Sequence, residues 1–218
     1  SCDVHDLHVG DLRRSAACGA CVALANHLCG GALDTAMRRA LEVWGGPDNG
    51  GGVHVAAILA ATCCHHHTGW VGFLCRHIFV EWGLTEPDFE RIRSWSRLAP
   101  RRTEPDGGRA RVLDVSARLG ISVAEAGELG ARCRQLMDTA RALCLARRGF
   151  HVSLVQHADF AATADNVMIR AVASSVPRVP GTEVAPLPVP RTPSDASAGE
   201  VGDETPACDS SNHSDGTG

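Results

Sequence analysis

The sequence predicts an all-α fold, a compact multi-helix bundle over residues 1–174, and three observations predict it. Apolar side chains recur at helical spacing in several stretches. Two of these stretches open on capping signals, Thr85-Glu86-Pro87-Asp88 and the Ser122-x-x-Glu125 box. The longest closes on Arg147, Arg148 and Gly149, basic residues and a glycine that suit a helix C-terminus.

Taken in order, Asp11 caps a helix running towards Cys29, with Ala17, Cys21, Leu24 and Leu28 on one face. Gly30 and Gly31 interrupt it, and a second helix follows over 32–44 with Leu33, Met37, Ala40, Leu41 and Trp44 aligned. The Gly-rich stretch 45–52 reads as a flexible loop. Residues 53–64 are almost continuously apolar, so period alone does not separate helix from strand; length and alanine content favour helix. Two more helices are expected, one over 70–82 and one from Thr85 through Trp95. A second helical block spans 110–174, after a first of 1–109. In it, 112–119 stops at Gly120, and a long helix from Ser122 carries Leu129, Cys133, Leu136, Ala140, Leu143 and Cys144 on one face. Residues 150–155 read as a short connection, and Asp159 caps a last helix through Met168 and Ala171. Residues 175–218, rich in Pro, Ser, Gly and acidic side chains, bury too little to offset their ordering entropy and read as a disordered tail.

Hydrophobic residues make up 44% of the 218, enough for one ordinary core without a disulfide scaffold. A net charge of −4 with a pI near 6.2 lacks the basic footprint of phosphate-driven binding, so no nucleic-acid partner is expected. No apolar run reaches the roughly 18 residues of a membrane span, and no basic stretch followed by an apolar block opens the chain. An intracellular location, in cytoplasm or nucleus, is the expectation; removal of an N-terminal precursor segment would make it secreted instead. The chain is lysine-free and also lacks Tyr. Both have AT-rich codons, so the composition suits a GC-rich genome, such as that of a large DNA virus, whose product would act inside its host.

The ten cysteines admit three readings: small buried hydrophobes, disulfides, or a metal site. For the last, Cys18-x2-Cys21 is followed by His27-x-Cys29, and Cys64-x2-His67 by Cys75-x-His77. Thiolates and imidazoles at such spacing hold a tetrahedral ion, so each quartet is a candidate structural zinc site.

Two local patterns point elsewhere. The run 115–122, with Ser116 four residues before Gly120, looks like the first helix and turn of a repressor-type helix-turn-helix; Val123 to Glu128 then offer no base-reading side chain. Ser153-Leu154-Val155-Gln156-His157-Ala158, with Ala162 beyond, resembles the elongin-binding helix of suppressor-of-cytokine-signalling boxes. Leu187-Pro188-Val189-Pro190 resembles the cullin-binding motif that follows such helices. The resemblance implies elongin and cullin ligase components as partners, engaged through Leu154, Ala158, Leu187, Pro188 and Pro190.

No phosphate-binding Gly-rich motif and no Gly-x-Ser-x-Gly elbow are present. The sequence therefore favours a non-enzymatic helical protein–protein interaction module, an adaptor or host-modulating protein without a resident cofactor. A secreted, disulfide-stabilised ligand or decoy is one alternative, and a zinc-stabilised regulator with a helix-turn-helix element is another.

Overall fold

The computed structural model describes residues 20–26, 28–44, 54–99, 107–158 and 166–174. Its architecture is mixed α/β, which corrects the all-α expectation. Strand β1 (Ala20–Ala25) leads into helix α1 (Gly31–Trp44) and strand β2 (His54–Ala61). A 3-10 turn at His65–His67 precedes α2 (Arg76–Glu81) and α3 (Glu86–Trp95), and a second follows at Ser96–Leu98. Helices α4 (Gly107–Leu119) and α5 (Val123–Ala146) then lead to β3 (Phe150–Gln156) and β4 (Val167–Ala173). The four strands form one sheet in the order β1-β2-β4-β3. β1 and β2 are parallel, joined through α1 as a βαβ unit; β4 runs antiparallel to both β2 and β3.

Each missed strand has a physical reason. In β1 Cys21 and Leu24, expected on one helical face, lie on opposite faces: Cys21, Ala23 and Ala25 pack against the core, whereas Val22 and Leu24 project outward, 52% and 74% exposed. β2 lies between β1 and β4, and a central strand reads as a continuous apolar run. The expected connection at 150–155 is β3, and the end of the expected last helix falls in β4, whose Val167, Ile169 and Val172 are β-branched. Its proposed cap Asp159 lies outside the described residues, as do the Asp11 cap, the Gly-rich loop and the whole expected tail.

α1 and the end of α5 cover one face of the sheet. Leu33, Met37, Ala40 and Leu41 of α1 and Leu145 of α5 meet Val55, Ile58 and Ala60 of β2 and Ile169, Ala171 and Ala173 of β4. A second core joins the helices, where Phe73, Ile78, Phe79 and Phe89 meet Met137 and Ala140 of α5. α5 starts at its predicted box: the Ser122 N–H donates to Glu125 at 2.7 Å and the Glu125 N–H donates to Ser122 Oγ at 3.2 Å. Its buried stripe keeps Cys133, Ala140 and Cys144 of the predicted one and departs from it elsewhere. Arg134, Asp138 and Arg141 lie inside it, while Leu143 is partly exposed.

Candidate active site at the strand ends

Because β1 and β2 are parallel, the segments that leave them emerge side by side at their C-terminal ends, where open α/β sheets bind ligands. From β1 come Leu28, Cys29 and Gly30; from β2 come Thr62 to Thr68. The two segments touch closely. Gly30 has φ +58, and a Cβ placed on it would sit 2.5 Å from the His67 Cβ and 2.6 Å from its backbone carbon. Only glycine allows that approach. Cys64 adopts the left-handed region at φ 47, ψ 40, a conformation that costs a side-chain-bearing residue energy and recurs at functional sites.

These turns bring three thiols together. The Sγ atoms of Cys29, Cys63 and Cys64 all lie within 4.8 Å of one another, with Cys29 and Cys63 at 3.6 Å. A tetrahedral ion bound at about 2.3 Å by sulfur separates its ligands by roughly 3.8 Å, so the cluster is capable of coordinating a metal ion. Burial pushes the Cys63 thiol far up, and the neighbouring Cys29 and Cys64 push it further. Ionising such a group is costly unless a cation arrives with it.

Beneath the thiols runs a buried polar chain. His65 Nε2 donates to Asp138 Oδ2 at 2.9 Å, and the Thr62 hydroxyl donates to the same oxygen at 2.8 Å. Asp138 Oδ1 accepts from Arg141 at 3.0 Å. Arg141 in turn grips both oxygens of Asp34 at 3.1 and 2.7 Å and lies over the Phe73 ring. Asp34 also accepts the Leu74 N–H at 3.3 Å. His65, Asp138, Arg141 and Asp34 are all buried. Burial pushes Asp138 up, but His65, Arg141 and Thr62 outweigh it and hold the carboxyl below its usual range. Arg141 is held charged against burial by Asp34 and Asp138. The chain ties the segment after β2 to α5 and α1, so the thiols stand on a fixed support.

The candidate ligands scatter across the molecule. Cys29 and Cys64, one from each expected quartet, meet here, together with Cys63, which belonged to neither. Cys21 is half-buried in β1, and His67 lies at the surface with its ring 4.1 Å from that of His66. Cys75 is buried among the helices, and His77 lines a separate cavity. Cys18 and His27 lie outside the described residues. Sequence reasoning missed Asp34, Asp138 and Arg141; the available signal was charge falling on the buried stripe of a helix. The elongin-binding helix is corrected outright. Leu154 sits in β3 opposite Ile169, with Ala158 just beyond the strand, and a residue locked in a ladder does not present a helical plug. Leu187, Pro188 and Pro190 lie outside the described residues.

A family model described as methyltransferase TRM13 matches residues 1–172. The chain belongs to the methyltransferase TRM13 family. Among its relatives, the human "tRNA:m(4)X modification enzyme TRM13 homolog" is 28% identical over 144 residues, covering 54% of this chain and 30% of the human protein. The Schizosaccharomyces pombe "tRNA:m(4)X modification enzyme TRM13" is 28% identical over 153 residues, 67% of this chain and 38% of the yeast protein. The chain thus spans about a third of the length of these relatives. No solved structure matches it.

TRM13 membership overturns the expectation of a non-enzymatic interaction module, since the family is one of enzymes. It equally overturns the exclusion of nucleic acid, since the relatives are named for tRNA modification. Total charge was a poor guide, because the balance differs along the chain. Residues 175–218 hold two Arg against seven Asp and Glu, a balance of −5, so residues 1–174 carry +1 within the total of −4. No described helix is long and apolar enough to cross a membrane.

Proposed function

We propose that this chain acts in methyl transfer to tRNA, with the segments after β1 and β2 lining the place where the reaction occurs. The observation that carries the reading is the family match over residues 1–172. The strand-end site supports it: methyl transfer requires acceptor and donor held in line, and positioning is what a rigid, water-poor support supplies. His65, Asp138, Arg141 and Asp34 act as positioning residues, holding the Cys63–Thr68 segment against α1 and α5. tRNA and reduced thiols share the interior of a cell, which is where this reading puts the chain. Incubating the full chain with tRNA and S-adenosylmethionine, labelled in its methyl group, tests it. Label in the tRNA is expected; the absence of both transfer and tRNA binding overturns the reading.

The metal bound by Cys29, Cys63 and Cys64 is, on this reading, zinc. Three thiolates within 4.8 Å match its preference for sulfur and its tetrahedral spacing. Stoichiometric zinc that protects these three cysteines from alkylation is the expected result. Protection of Cys75 or Cys133 instead would place the ion elsewhere.

A further inference from the structure

A partly open cavity of about 390 Å³ lies where α1, α2 and the end of α5 meet. Arg38 and Glu42 of α1, His77 of α2, Cys144 of α5 and Arg148 just beyond it line the cavity. None of these residues belongs to the strand-end site, yet both places are built on the same two long helices. Arg38 stands seven residues along α1 from Gly31, and Cys144 six along α5 from Asp138. At roughly 1.5 Å per residue, the cavity lies about 10 Å along the helices from the strand ends.

The chemistry of the lining favours an anion. Arg38, His77 and Arg148 are exposed, so their polar ends reach solvent. Arg38 donates to the Gly72 carbonyl at 3.3 Å, a neutral acceptor that leaves its charge in place. Glu42, the carboxylate among the described lining residues, already accepts from Arg39 at 2.8 Å. One carboxylate shared with Arg39 does not neutralise two further guanidiniums. The C-terminal dipole of α5, equivalent to about half a negative charge, opposes an anion here, and two full charges outweigh it. A guanidinium fork fits two phosphate oxygens at once, and the His77 ring supplies a further N–H.

We propose that this cavity takes a backbone phosphate of the tRNA, held by Arg38 and Arg148. The proposal rests on the tRNA reading above and names where the substrate's backbone is gripped. Such a contact adds affinity and fixes register without reading sequence.

The test measures binding of the full chain to tRNA over a range of salt concentrations, for the wild type and for Arg38→Gln combined with Arg148→Gln. The double variant should bind roughly tenfold more weakly, with the slope of log affinity against log salt shallower by about 1. Arg38→Lys should keep the slope, since it keeps the charge, and Arg118→Gln, on α4 outside the cavity, should change affinity far less. If the double variant fails to fold, Arg38→Gln against Arg38→Lys decides. A wild type that binds tRNA with a slope the double variant shares overturns this proposal alone; a wild type that binds no tRNA overturns the tRNA reading with it. Equal weakening by Arg118→Gln would trace the effect to total charge and overturn the proposal. So would a cavity that binds inorganic phosphate while the double variant leaves tRNA affinity untouched.

Discussion

At the ends of β1 and β2 three thiols face one another, whereas in the last turns of α5 Cys144 faces guanidinium groups. Both groups are packed into the same domain, yet their chemistry diverges. Burial, Cys29 and Cys64 all raise the cost of ionising Cys63, so that group suits a cation. At Cys144 the neighbouring Cys75 thiol, with Arg148 and Arg147, outweighs burial and lowers the pKa. Burial alone raises Cys133, whereas at the equally buried Cys144 those neighbours outweigh it. Arg141 sits between the two groups, tied to Asp138 and through it to His65 on one side, and to Asp34 on the other.

Removing Arg141 should therefore disturb the comparison most. Arg141→Met leaves two buried carboxylates without their cation, and breaking such a pair costs about 3–5 kcal/mol. Urea unfolding measures it; a cost below about 1 kcal/mol would mean that Asp34 and Asp138 reach water. The same chain predicts an acid limit. Asp138 has a depressed pKa in the folded protein, so its contribution is complete above the unfolded carboxylate value near 3.9 and is lost as pH falls below that value. Asp138→Asn should be less stable near neutral pH and lose less on acidification. Next in size is zinc, which should stabilise the chain by about 2.7 kcal/mol at a hundred times its dissociation constant. Cys63→Ser should abolish that gain, read as a thermal shift, while Cys144→Ser should keep it.

How much of this was legible depends on what each pattern encodes. Helices α1, α3 and α5 announced themselves because an exposed face gives period and because Thr85 and Ser122 carry caps. β2 did not, since a strand buried by neighbours on both edges has no polar face to betray its period. β1 mimicked a helix because small apolar residues fill nearly every position of Ala20–Ala25, and two periods fit the same letters. For the site, Cys29 and Cys64 were visible as ligand types, but their meeting needs the parallel register of β1 and β2, which no local spacing records. Asp138 and Arg141 were hidden for another reason: Arg141 pairs across 107 residues with Asp34 and Asp138 across 73 residues with His65, so each looks solvated until the partner is known.

Smaller changes sharpen the contrast between the two cysteines of α5. Gly130 lies where α5 presses on the segment after α3; a Cβ there would meet Ala99 N at 2.1 Å and Leu98 C at 2.7 Å. Both are backbone atoms, so Gly130→Ala must push the chain apart, at about 1–3 kcal/mol. Cys133, one turn away, should then alkylate faster while Cys144 keeps its rate; equal acceleration would show that α5 moves as a rigid rod. The smallest effect expected is at the helix start. Ser122→Ala removes the acceptor for the Glu125 N–H and should cost about 1 kcal/mol. Because the cap lies on the opposite end of α5 from Cys144 and outside the Arg141 chain, neither cysteine group should change its reactivity. A shift in the pH dependence of Cys144 alkylation in this variant would mean that fraying at one end of α5 reaches the other. Control by nearby charge would then give way to control by the helix as a whole.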